Sequence, residues 1–251
     1  MPSLYKAILK PIFDFIVALI LLCILFVPAF YFTIRIFLQD FSNPFYIPKR
    51  VGKNKKNYNM IKFRSMIVNA DSSKVDSTSS NDSRITNLGN FIRRYKIDEI
   101  PNLLNILTFK MSFVGPRPNV NREVNLYTDE EIKILRVRPG ITDISSIVFA
   151  DEGDILENSI DPDLDYNQLI RPWKSRLAIL YTEKASLFLD LKLMILTLYN
   201  FIDRKKTLQI ISNILKNLDA HENLINIVLR ENKLVPTPPP GSEEIVTTRS
   251  N

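Results

Sequence analysis

The chain has 251 residues, 45% of them apolar and 24% charged, with a formal net charge of +6. That apolar content excludes a wholly disordered chain, the length fits one sizeable domain plus appendages, and the positive balance calls for an anionic partner such as a membrane surface, nucleotide or nucleic acid. One cysteine and one histidine leave no pair for an internal disulfide and too few ligands for a Cys/His zinc site.

From Ile12 to Ile34 the sequence IFDFIVALILLCILFVPAFYFTI is almost unbroken apolar, with one acid at Asp14. About 20 such residues are enough to cross a bilayer, and length alone favours a simple span. It does not read as a cleaved signal, since it is long and no small-residue cleavage site closes it. Pro28 removes one backbone hydrogen bond near the middle and favours a kink. Lys6 and Lys10 precede the segment; Arg35, Lys49, Arg50 and Lys53 follow it, so the positive-inside tendency selects no orientation. A hairpin that enters and leaves on one side satisfies both flanks. Cys23 reads as a small membrane-embedded residue.

After Asp40 the chain passes Pro44 and Pro48 into the basic run KRVGKNKK, a solvated or membrane-facing loop by charge alone. Met60–Met66 has strand content around Lys62 and Arg64, which in isolation are residues of an exposed strand face. Residues 67–82 are serine-rich and read as a surface loop, an inert insertion more readily than a lid.

Asp98 and Glu99 follow, just ahead of Pro101, where a proline fits the first turn of a helix. Taken alone, such acids are helix-capping residues that favour the positive end of the dipole. Their neighbours change that reading: Arg84, Arg93, Arg94 and Lys96 come before, and a Gly-Pro-Arg-Pro corner follows at 115–118. Adjacent carboxylates repel, so holding both ionised calls for cations or hydrogen-bond donors. One acid could hold a hard metal ion while its neighbour attacks phosphorus. Ile97, Ile100, Leu104 and Leu107 recur at helical spacing and fix the pair on a packed element.

Residues 121–136 suggest a short helix capped near Thr128. RPGIT at 138–142 (Arg138 to Thr142) predicts a turn into a strand, ITDISSIVFA, and Asp151–Asp165 reads as an acidic solvated loop. Pro172 and Trp173 open a long helical pattern. Leu187–Ile202 suits either an interfacial helix or a core helix. Leu208, Ile211, Leu215, Leu218 and Ile225 continue as an amphipathic pattern with too few heptads to define a coiled coil. From Pro236 the tail reads as disordered or polyproline. None of the six glycines forms G-x-G-x-x-G or a P-loop.

The blocks KRVG (49–52), KFRSM (62–66), RITNLG…IRRYKIDEIPNLLNIL…MSFVGPRP (84–118), RPGIT and YTEKASLFLDLKLMILT (181–197), in this order and spacing, resemble the bacterial sugar transferase family, monotopic phosphoglycosyl transferases acting on polyprenyl phosphate. The likeness covers about the first 200 residues. It implies an α/β, helix-rich, membrane-anchored fold with an N-terminal re-entrant helix; no doubly wound pattern is visible. The family's re-entrant helix bends at Ser-Pro, whereas this chain has Val27-Pro28. The organisation implied is 1–48, membrane helix and connector; 49–202, catalytic domain; 203–233, an extra amphipathic helix; 234–251, a disordered tail.

The resemblance further implies transfer of a sugar 1-phosphate from a nucleotide diphospho-sugar, with a uridine diphosphate donor favoured, to polyprenyl phosphate at the cytoplasmic face of the inner membrane. Carried onto this chain, Asp98 is the nucleophile, Glu99 binds Mg2+, and Arg93 and Arg117 contact phosphate; Lys62 and Arg64 join them as candidate phosphate-binding cations. Arginine there offers a bidentate fork that lysine cannot copy. A homo-oligomer or downstream glycosyltransferases are the protein partners it admits. A nucleic-acid binder would need exposed aromatics among its basic residues, but most Tyr and Phe here lie in apolar segments, so nucleic acid is not expected. A transferase turned inactive scaffold is the remaining alternative.

Overall fold

The computed structural model describes residues 4–70 and 81–248. Most of the serine-rich stretch expected as a surface loop, residues 71–80, lies outside the described residues. A π-turn at Tyr5–Leu9 leads into α1, Lys10–Asp40, which closes where Phe41 turns left-handed (φ 53°) and its N–H returns to Phe37 O at 2.7 Å. Tyr5–Asp40 is long and apolar enough to enter or cross a membrane, and the helix runs on through Pro28. At 1.5 Å per residue, α1 is about 46 Å long.

Its two ends are tied to the same domain. At the N-terminal end Lys10 pairs with Asp190, and Asp14 accepts from Ser112 Oγ at 2.7 Å. Towards the C-terminal end Ile36 packs with Phe63 and Ile92, and Asp40 takes a two-pronged contact from Arg64 at 2.5 and 2.6 Å. Between them Ile20, Ile24, Phe26, Val27 and Phe30 are exposed.

Short hairpins follow. β1 (Phe45–Tyr46) is antiparallel to β4 (Lys62–Phe63), and inside that pair β2 (Lys49–Val51) is antiparallel to β3 (Asn57–Asn59). Next come α2 (Asn87–Arg94), a 3-10 turn at Ile97–Glu99, and α3 (Asn102–Leu107). β5 (Ser112–Val114) pairs in parallel with β6 (Gly140–Thr142) across an excursion that holds α4 (Asn121–Val124) and a 3-10 helix at Glu131–Arg136. Among the described residues the strands therefore form three two-stranded sheets in a helix-rich fold.

The strand expected over 141–150 ends at Thr142. Asp143 accepts from Ser146 N at 2.7 Å and starts α5 (Ile144–Val148). An aspartate followed by two serines is a strong N-cap, and that local bonding prevails over the β-branched residues behind it. The acidic stretch 151–165 holds two one-turn helices, α6 (Glu152–Ile155) and α7 (Pro162–Asp165).

α8 (Arg171–Lys184) and α9 (Leu187–Tyr199) complete the part that resembles the family. α9 is two-faced: Leu189, Asp190, Leu193 and Leu196 are buried, while Phe188, Leu191, Ile195 and Leu198 are exposed. α10 (Arg204–Asn217) and α11 (Glu222–Val228) extend the same core, where Leu208, Ile211, Leu215, Leu224 and Val228 join Leu103, Val114, Ile147 and Leu177.

The tail, expected as disordered, is laid along the domain as far as it is described. Thr237 N donates to Gln168 O at 3.0 Å, Gln168 Nε2 to Val246 O at 2.7 Å, and Arg176 to Pro238 O at 3.0 Å. A proline has no N–H to donate, but its carbonyl still accepts, as Pro238 O does from Arg176.

Candidate active site

Three chain crossings build the site. Lys96 takes a left-handed conformation (φ 57°) and turns the chain out of α2 into the 3-10 turn that carries Asp98 and Glu99. α3 then anchors this turn through Asn105, whose Oδ1 accepts from Ile61 N and whose Nδ2 donates to Asn59 O, each at 2.8 Å. These bonds hold the strand carrying Lys62 against the carboxylates. At the third crossing Gly115 and Gly140 meet backbone to backbone: a Cβ on Gly140 would lie 2.1 Å from Gly115 N. Gly115 N donates to Thr142 O at 2.9 Å and Gly140 N to Pro116 O at 3.0 Å, which fixes the corner bearing Arg117.

Glu99 is buried and held by three donors. Its Oε1 receives Lys62 Nζ at 2.5 Å and Arg117 Nη2 at 3.0 Å, and Asn102 Nδ2 donates to its Oε2. Asp98 makes no hydrogen bond among the described residues; Lys62 Nζ stands 3.8 Å from its Oδ2, and its Oδ1 is buried without a partner. The environments drive the two acids apart. Burial raises the Asp98 carboxyl, with Glu99 adding to the rise and Lys62 only partly offsetting it. Burial opposes ionisation of Glu99 too, but Lys62 and Arg117 outweigh it and hold that carboxyl far below its usual range. One acid is a fixed anion, and its neighbour is a more basic oxygen with a free lone pair. Such divergence separates chemical roles in paired carboxylates.

The structure thus brings together Asp98, Glu99, Lys62 and Arg117. Arg93 is half-buried and feels Asp98 and Arg117 electrostatically, without an ion pair among the described residues. Arg64 is placed elsewhere: both its terminal nitrogens bind Asp40 at the end of α1. Of the other nearby cations, Arg84 pairs with Asp82, and Arg94 lies over Tyr95. Asn102 and Asn105 had not been singled out from the sequence. Their signal was legible, since both are amides on the otherwise apolar buried face of a helix, where a polar group must find a partner.

Oxygen atoms dominate what remains open. Asp98 Oδ1 and Asn102 Oδ1 are both buried without partners beside Glu99. Among the described residues no three acidic, histidine or cysteine side chains gather, so what the site has for Mg2+ is a carboxylate and amide oxygens, the hard donors that ion takes alongside substrate phosphates.

A helix-rich domain thus ties down both ends of an apolar helix and gathers a carboxylate pair under two cations. The chain belongs to the bacterial sugar transferase family, whose model matches residues 5–204. It is 34% identical over 191 residues to the uncharacterized sugar transferase EpsL of Bacillus subtilis, covering 76% of this chain and 85% of that one. It is 35% identical over 155 residues to an uncharacterized sugar transferase of Haemophilus influenzae, covering 56% and 33%. With the UDP-glucose:undecaprenyl-phosphate glucose-1-phosphate transferase of Escherichia coli it shares 34% over 157 residues, covering 60% and 31%. The chain therefore spans about a third of the length of these last two relatives.

Proposed function

We propose that this protein is a phosphoglycosyl transferase that moves a sugar 1-phosphate from a UDP-sugar to undecaprenyl phosphate, the reaction named for its Escherichia coli relative. The observation that carries the reading is the contrast within the pair: Glu99 is held by three donors, and Asp98 keeps a buried oxygen unpartnered. Asp98 attacks the sugar-bearing phosphorus, and the bond from that phosphorus to the bridging oxygen breaks as uridine monophosphate leaves. A phosphate oxygen of the lipid then attacks the same phosphorus, the aspartyl bond breaks, and Asp98 is regenerated. Arg117 holds Glu99 yet keeps 39% of its side chain exposed, which supports a role in binding the donor's phosphates. Arg93 adds charge beside Asp98. Glu99 Oε2, which accepts from Asn102, and Asn102 Oδ1 would hold Mg2+, which when bound neutralises charge on the leaving phosphate, and Asp98 Oδ1 is left for the attack.

Membrane placement follows from α1. Lys10 and Asp14 near one end and Ile36 and Asp40 near the other all bind one domain, which supports entry and exit on a single side, the cytoplasmic face. Exposed apolar residues of α9 would rest on the same surface.

The test is release of uridine monophosphate from a panel of UDP-sugars by purified protein with Mg2+ and undecaprenyl phosphate. Lipid-dependent release from one donor is expected, with mass spectrometry locating a phosphosugar on the Asp98 peptide when lipid is withheld. Asp98→Asn should abolish both signals, and chelation of divalent ions should stop release until Mg2+ is restored. No release from any donor by folded protein would favour the scaffold alternative.

A further inference from the structure

A cavity of about 210 Å³ lies outside the carboxylate site, lined by Trp173 of α8, Asn223, Asn226 and Ile227 of α11, and Asn232 just beyond. Four of these five residues fall after residue 204, where the family match ends. Asn223, Asn226 and Ile227 are three and four positions apart and share one helix face. Trp173 is only 9% exposed, yet its indole N–H has no acceptor among the described residues. A buried, unpaired N–H is costly and normally finds a partner. The three asparagines are exposed, and no hydrogen bond within the described residues engages their side-chain amides.

We propose that this cavity binds a neutral saccharide. No charged side chain lines it, so it offers nothing to a phosphate, nucleotide or metal ion. Each asparagine amide presents a donor and an acceptor side by side, which matches neighbouring sugar hydroxyls, each itself donor and acceptor. Ile227 and the part of Trp173 that Arg176, 5.2 Å from its ring centroid, leaves open supply apolar surface for the sugar's C–H groups, and the indole N–H is a buried donor without an acceptor among the described residues. The volume is below the ~300 Å³ at which sites for drug-sized ligands begin, which suits a single ring.

Trp173 is the single tryptophan of the chain, so intrinsic tryptophan fluorescence reports from the wall of this cavity. Full-length protein in detergent is titrated with glucose, galactose, N-acetylglucosamine and N-acetylgalactosamine, with glycerol and uridine monophosphate as controls. A saturable change with at least one sugar in the millimolar range is expected, and neither control should reproduce it. In the double variant Asn223→Ala, Asn226→Ala the apparent affinity should fall at least about tenfold, the size of two lost hydrogen bonds. Both positions are exposed, so the fold and any nucleotide release should survive. Absence of a saturable response to any sugar, an equal response to glycerol, or full affinity in the double variant would each overturn the assignment. The readout needs no turnover, so its outcome is independent of the proposed reaction.

Discussion

Glu99 accepts from Lys62, Arg117 and Asn102, and each contact can be separated kinetically. Lys62 touches Glu99 at 2.5 Å and stands 3.8 Å from Asp98, so its charge is spent on the acids in the absence of substrate. Lys62→Met is expected to lower kcat on the order of 10²-fold and leave the donor KM nearly unchanged. A raised KM at constant kcat would instead assign Lys62 to the donor's phosphates. For Arg117→Lys, kcat/KM should fall by a similar factor of about 10², because a lysine keeps the charge but loses the planar fork. Steady-state uridine monophosphate release measures both.

Elements here depend on a few contacts that tolerate little change. The 3-10 helix at 131–136 is joined to α8 by Arg171 and Glu131, 2% and 0% exposed, with Arg171 Nη2 2.5 Å from Glu131 Oε2. Ser175 Oγ donates to the other carboxylate oxygen at 2.6 Å. Arg171→Met leaves Glu131 buried without its cation and should cost about 3–5 kcal/mol, seen as a lowered unfolding temperature in detergent; adding Glu131→Met should recover much of the loss. Gly140→Ala acts on another joint. Its Cβ would meet the Gly115 backbone at 2.1 to 2.7 Å, so the β5–β6 pair must separate and Arg117 must move. Activity should fall further than the unfolding temperature implies, a difference that paired activity and melting curves would expose.

At the scale of the whole molecule, topology is the decisive question. With Cys23 replaced by serine, the variants Leu4→Cys and Ser42→Cys place one thiol near each end of α1. Both are expected to react from the cytoplasmic side with a membrane-impermeant maleimide, since both ends are bound to one domain. A simple span would expose one on each side. In the proposed reaction this association would bring a lipid-borne and a soluble substrate to one domain, whose α1 and α9 expose apolar residues and whose Arg117 is open to solvent.

By itself the sequence determined the carboxylate pair, the cations around it, the apolar N-terminal helix and the family, because these are local patterns: residue type, spacing and order along the chain. The apolar spacing of Ile97, Ile100, Leu104 and Leu107 was legible too, but it picked the wrong face of α3: Leu104 is 42% exposed, and Leu103 and Ile106 are the buried residues, because the packing against α1 and β5 sets which face turns inward. Tertiary structure alone decided that Arg64 serves Asp40 rather than the carboxylates, since which acid a cation meets depends on segments 24 residues apart crossing in space. It decided that, among the described residues, Glu99 is held by three donors and Asp98 by none, a difference between neighbours that no spacing can express. And it folded α10, α11 and the proline-rich tail onto the catalytic core, because their apolar faces and carbonyls acquire partners only when α5 and α8 are already in place.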